Sequence, residues 1–258
     1  MKNCLIIFFL LIINANPSLA QSTGWHTDIK SSLKNAEKVT RLRLNSLDSL
    51  PPEIREFSNL EELDLSLSSV TKLPPEIGEL KKLKRLKIYS TSLASLPKEI
   101  GELTQLIYLD LGENELTELP KEIGRLKLLK DLHVEGNKLT TLPKEFGALV
   151  SLEFLDLHSN NISVLPEQIS KLKSLKILIL GGDLGGNPIK VLPAELALAV
   201  NLERLALKDC QISEIPSEIL ALHSLKYLDL RGTPMTKIIL KHIEETKKGA
   251  EILRDPGK

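Results

Sequence analysis

The sequence predicts an α/β solenoid: a curved horseshoe with a parallel β-sheet on its concave side and short helical or 3-10 segments on its convex side. Three observations predict it. A unit of 23 residues recurs in register from about Val39 to Lys248. Inside each unit the leucines keep fixed offsets, first in a strand-like alternation and then spaced for a turn and short helix. Each unit but the last also carries a Leu-Pro or Ile-Pro step with Glu and an aliphatic residue or Phe close behind it.

The unit Leu106–Leu128, LIYLDLGENELTELPKEIGRLKL, shows the logic. Leu109 and Leu111 alternate with Tyr108 and Asp110, the period-two pattern of a strand with one buried face. Asn114 turns the chain, and Leu116 and Leu119 re-enter the core. Pro120 suits the first turn of a short helix, where its missing N–H costs nothing. Glu122 sits where a carboxylate favours the free amides of a helix start. Ile123 and Leu126 face inward, and Gly124 is expected to permit the bend towards the next strand. No unit can bury its leucines alone, so neighbours must stack into one continuous core.

In chain order, Met1–Ala20 has the pattern of a secretory signal peptide: Lys2, the apolar run Cys4–Ile13, then NANPSLA with small residues before Gln21. Ten core apolar residues are too few to span a bilayer, so no integral membrane association is expected after cleavage. Residues 21–38 are expected to cap the array, with Asp28 starting a short helix in which Ile29 and Leu33 share a face. About nine repeats occupy residues 39–233. The first, Val39–Asn59, is two residues short; those at Leu60, Leu83, Leu106, Leu129 and Leu152 are regular. The unit from Leu175 carries about four extra residues within GGDLGGNPIK, expected to form a flexible rim loop, and further units start at Leu202 and Leu225. Residues 234–258 form a C-terminal helical cap, with Thr236–Arg254 expected to be helix, Ile239 and Ile243 on one side.

With these leucines, asparagines and Leu-Pro-x-Glu-Ile steps, the chain resembles the leucine-rich repeat family over nearly all its length. The start DIKSSLKNAEKVTRLRL is similar to exported repeat proteins of Leptospira and Bacteroidetes-type bacteria. The family's turn asparagine is matched by Asn114, Asn137 and Asn160. Elsewhere the position holds Ser68, Thr91, Asp183 or Asn187, Cys210 and Thr233, which satisfy turn amides less completely. After leader removal Cys210 is the remaining cysteine, so no internal disulfide is possible. The resemblance then implies a bacterial rather than an animal extracellular member, because the latter carry disulfide-bonded caps.

Charge excludes some partners. Basic and acidic residues balance at 34 each, and loss of Lys2 with the leader leaves one net negative charge. Nothing here favours nucleic acid. The candidates for chemistry are also weak. Cys210 falls on the turn position and suits a small core residue. His133 and His158 lie on adjacent strands near Asp131, Glu135 and Asp156, but at different offsets, so no metal site is assigned. Gly181, Gly182, Gly185 and Gly186 lack the lysine and helix of a phosphate loop. The glutamate series (Glu76, Glu99, Glu122, Glu145, Glu195, Glu218) serves helix starts, and the aspartates Asp64, Asp110, Asp156 and Asp229 are expected to be a solvated face. No nucleophile–base set is spaced for catalysis. Related bacterial ubiquitin-ligase effectors carry a catalytic domain beside similar repeats, whereas only a short segment follows them here. Neither an enzyme nor a cofactor is expected.

Aromatic residues make up 3% of the chain, so their placement is informative. Tyr89, Tyr108, Phe154 and Tyr227 take outward positions of the strand half, while Phe57 and Phe146 take inward ones. The concave set Tyr89, Tyr108, His133, Phe154, His158, Ile177, Ile179, Arg204 and Tyr227 is expected to bind a partner protein. Lys84, Arg85 and Lys87 flank it on one side, and Lys208 and Arg231 on the other. The expected protein is an exported monomer that recognises another protein; surface adhesion to matrix or glycan is the alternative, and a signalling scaffold is less favoured.

Overall fold

The structure is a computed structural model that describes residues 24–255; the signal-peptide expectation for residues 1–20 lies outside them. Strands β1 (Arg41–Arg43), β2 (Glu62–Asp64), β3 (Arg85–Lys87), β4 (Tyr108–Asp110), β5 (Asp131–His133), β6 (Phe154–Asp156) and β7 (Ile177–Gly182) follow one another in sequence. A hairpin strand β8 (Gly185–Gly186) follows, then β9 (Arg204–Leu207), β10 (Tyr227–Asp229) and β11 (Glu251–Leu253). Apart from β8 they pair in chain order into one parallel sheet. Consecutive order with parallel pairing requires each strand to return by a crossover on the other side, which makes a solenoid.

Register follows the leucines. Leu42, Leu63, Leu86, Leu109, Leu132, Leu155, Leu178, Leu205 and Leu228 stand opposite one another along the sheet. All are buried. A one-residue slip of any strand would turn its leucines into solvent, so burial fixes the lateral alignment of the outward residues too.

The convex side is built from five-residue 3-10 turns such as Pro75–Glu79, Lys98–Glu102, Lys121–Arg125 and Lys144–Ala148. In the Leu106 unit Pro120 stands just before its turn, with φ −64°, and its carbonyl accepts from the Ile123 amide at 3.0 Å. Gly124 does not act as a bend. It has no left-handed φ, but a Cβ there would lie 2.3 Å from the Glu145 carbonyl oxygen of the next repeat. Glycine lets successive turns stack.

The turn asparagines saturate the backbone between repeats. Asn137 accepts from Leu116 N (3.0 Å) and donates to Leu111 O (2.9 Å) and Val134 O (3.1 Å). In the irregular repeat Asn187, fully buried, fills the position, accepting from Ile162 N and donating to Leu157 O and Leu180 O. Asp183 is exposed. Cys210 is buried with its thiol 3.5 Å from Leu180 O, and burial pushes its pKa up to about 11.

Both ends are covered. The helix α1 (Ile29–Ser32) starts at Asp28, whose carboxylate accepts from Ser31 N at 2.8 Å, and Ile29 packs into the core. His26 also pairs with the outer edge of β1, through His26 N to Arg41 O and Arg43 N to His26 O. At the other end α2 (Ser217–Leu220) closes the last convex turn, and α3 (Lys237–Thr246) starts at Thr236 and buries Leu240 and Ile243. The helix stops at Thr246 rather than Arg254. Gly249 takes a left-handed φ of 93°, and Glu251–Leu253 then joins β10 as a further parallel strand. Among the described residues no helix is long and apolar enough to cross a membrane.

The extra residues of the Leu175 unit are not a loose loop. Gly181 and Gly182 pair antiparallel with Gly186 and Gly185, a tight hairpin that prolongs β7. A Cβ on Gly181 would meet the Lys208 backbone and one on Gly186 the Asp209 backbone, so side-chain-free residues let the hairpin lie against the next repeat.

Candidate functional site

Parallel register sorts the concave side chains into rows. One row runs Arg85, Tyr108, Asp131, Phe154, Ile177, Arg204, Tyr227. The next runs Lys87, Asp110, His133, Asp156, Ile179, Ala206, Asp229. Tyr89, Gly112, Glu135 and His158 stand two residues further along each strand direction, just past the strand ends. The expected contact residues therefore share one face. Arg204 is exposed, and the other eight are half-buried.

His133 joins two residues of the first row. Its ring lies 5.3 Å from Tyr108 and 4.7 Å from Phe154, tilted by 41° and 31°. Arg85 lies over Tyr108 at 4.2 Å, and further along Arg204 lies over Tyr227 at 4.3 Å. Tyr108, His133 and Phe154 thus form a continuous ring stack across β4, β5 and β6, bounded by Arg85. Burial, then the Asp110 carboxylate, raises the Tyr108 hydroxyl pKa, so the phenol stays neutral and acts as a donor. At the first edge Trp25 is covered by Arg43 at 4.5 Å.

The aspartates of the second row are not a solvated face. Asp64, Asp156 and Asp229 are buried and Asp110 is half-buried, and the Oδ1 atoms of Asp64, Asp110, Asp156 and Asp229 accept the main-chain N–H two residues on: Ser66 (3.1 Å), Gly112 (3.2 Å), His158 (3.1 Å) and Arg231 (3.2 Å). Each ends its strand with a side-chain-closed turn. All four also take a side chain: Asp64 pairs with Arg43, Asp110 accepts from the Tyr108 hydroxyl at 3.3 Å, Asp156 pairs with His158, and Asp229 with Arg231. Of the basic flank, Lys84 pairs with Glu61, and Lys208 with Asp183 on the hairpin.

His133 and His158 stand at unequal offsets in their repeats. The structure instead groups His133 with Asp156, its register partner, and with Glu135. The Glu135 carboxylate lies over Gly112, where a Cβ would come within 2.3 Å of Oε1. Burial, reinforced by Asp156, pushes its pKa up to about 7. The signal for this grouping was present: aligned repeats place residue 133 beside 156 and glycine beside Glu135.

Two family models match the sequence. A leucine-rich repeat region covers residues 76–159 and a single leucine-rich repeat covers 151–172. The chain is a leucine-rich-repeat protein. An open parallel sheet with 3-10 turns behind it is the leucine-rich-repeat solenoid. Solved structures agree on this fold. An internalin from Listeria monocytogenes aligns with TM-score 0.74 at 23% identity, over 95% of this chain and 71% of its own. The plant peptide hormone receptor RGFR1, solved in complex with RGF2, aligns with TM-score 0.60 at 36% identity, over 72% of this chain and 31% of its own. The Arabidopsis thaliana receptor kinase GASSHO1/SCHENGEN3, in complex with CASPARIAN STRIP INTEGRITY FACTOR 2, gives 0.60 at 22% identity, over 84% and 29%. No curated protein matches the sequence.

Proposed function

We propose that this leucine-rich-repeat protein is an exported, non-enzymatic recognition module that binds a partner protein on its concave face. The ring stack Tyr108–His133–Phe154 carries the reading. These side chains are not needed to close the core, which the leucine rows complete without them. Half-buried aromatic groups with arginine at the margin suit the centre of a protein interface, where such residues contribute most of the binding energy. Both plant receptors are described as complexes with their factors, which supports assigning a similar task to this scaffold. Lys2, the following apolar run and the small residues before Gln21 support export, and the lone mature cysteine supports a bacterial setting.

The experiment is a parallel capture from bacterial envelope and host extracts. Wild type, a Tyr108→Ala/Phe154→Ala double variant and the convex variant Lys121→Ala serve as baits. A partner held by wild type and Lys121→Ala but lost from the double variant is the expected result. Equal capture by all three would refute the concave reading.

A further inference from the structure

We infer that His133, Glu135 and Asp156 form a binding site for one divalent transition-metal ion of the zinc class on the concave floor. A donor atom from each, one imidazole nitrogen and two carboxylate oxygens, lies within 4.8 Å of the other two. Tetrahedral zinc with bonds of about 2.0–2.1 Å holds its ligands roughly 3.4 Å apart, so modest side-chain closure completes the site.

His133 and Asp156 are positioned independently of any ion. Strand pairing sets His133 opposite Asp156. The Tyr108 and Phe154 rings hold the His133 imidazole. His158 donates to Asp156 Oδ1 from its backbone N–H and lies 2.7 Å from the same oxygen through Nδ1, which orients that carboxylate and leaves Oδ2 for a ligand.

Glu135 gives a second, separate indication. Its Oε2 is shut off from solvent and has no hydrogen-bond partner among the described residues. A desolvated carboxylate oxygen without a donor is strongly unfavourable, and coordination to a cation removes that penalty. The surroundings are largely acidic as well: Asp110, Asp131 and Asp156 act on His133 against Lys87, and Asp110 and Asp156 act on Glu135 against His158. Calcium and magnesium take oxygen ligands, so the imidazole selects the softer zinc-class ions. Three protein ligands leave a coordination position open. The inference does not depend on a protein partner.

The full chain, stripped with chelator and dialysed, is titrated with zinc chloride by calorimetry at neutral pH. One saturable equivalent is expected, with no comparable uptake of magnesium or calcium. Glu135→Gln and His133→Gln should each weaken zinc binding by about 10-fold or more. His223→Ala, an exposed histidine elsewhere, should leave it unchanged. Far-ultraviolet circular dichroism checks that each variant is folded, and either site variant suffices if the other is not. No saturable uptake by wild type, or full retention in a folded site variant, overturns the assignment.

Discussion

The rings of His133 and Phe154 stack with their centroids 4.7 Å apart across the boundary between β5 and β6. They come from different rows of the sheet, so the contact is diagonal. It places the histidine at the junction between the aromatic row and the buried aspartate row. Much of the concave face's chemistry follows from that position.

The first prediction concerns Glu135 in chelator-treated protein. Burial raises its pKa from an ordinary 4.5 to about 7. Below about 4.5 the carboxyl is protonated in both folded and unfolded chains and contributes nothing. Between 4.5 and 7 the folded chain binds the extra proton, so this group's contribution to stability falls as pH rises and is lowest above 7. Glu135→Gln removes the effect. The variant should match wild type near pH 4.5 and exceed it by at most ~3 kcal/mol above pH 7 in urea melts. An equal difference at both pH values would contradict a buried, titrating carboxylate.

Leu109→Ala tests the framework. Leu109 is fully buried between Leu86 and Leu132 in the leucine row. Its truncation should destabilise by about 2–5 kcal/mol. Hydrogen exchange should rise in the neighbouring repeats as well, because each repeat is held by the next. Unchanged urea unfolding would reverse the inward and outward assignment.

The turn positions should differ in weight. Asn137→Ala removes the acceptor for Leu116 N and donors for two carbonyls, and should cost about 2–4 kcal/mol. Cys210→Ser keeps a small donor beside Leu180 O and should cost about 1 kcal/mol or less. The native thiol should resist aromatic disulfide reagents, given its burial and raised pKa. Rapid labelling of the folded chain would contradict that.

In seven repeats the residue before the turn position adopts a left-handed backbone: Leu67, Ser90, Glu113, Gly136, Ser159, Asp209 and Gly232, with φ from 52° to 69°; Gly186, before Asn187 in the irregular repeat, does not. Leu67, at φ 62°, is exposed and gains little by packing. Leu67→Gly should stabilise by about 0.5–1 kcal/mol, relief of the left-handed strain exceeding the added freedom of the unfolded chain. A lower thermal midpoint would show that the side chain packs more firmly than its exposure implies.

The leucine rows, the 23-residue pitch and the helix starts at Asp28 and Thr236 were legible because hydrophobic spacing and capping act over a few residues. Three features depended on contacts that spacing along one strand does not encode. The glycine hairpin in β7 and β8 needs the backbone of the following repeat against it. The strand β11 replaces the end of an expected helix because Gly249 breaks the chain direction and β10 offers an open edge. The buried aspartates looked like surface because alternation says which way a side chain points, not whether its oxygen closes a turn.

Recognition through the concave face should be read in the affinity for a captured partner. Phe154→Ala and Tyr108→Ala should each weaken binding by about 1–3 kcal/mol, with melting nearly unchanged, and convex Lys121→Ala should have no effect. If Lys121→Ala abolishes binding while both concave variants bind as wild type does, the partner sits on the opposite face and the account is wrong.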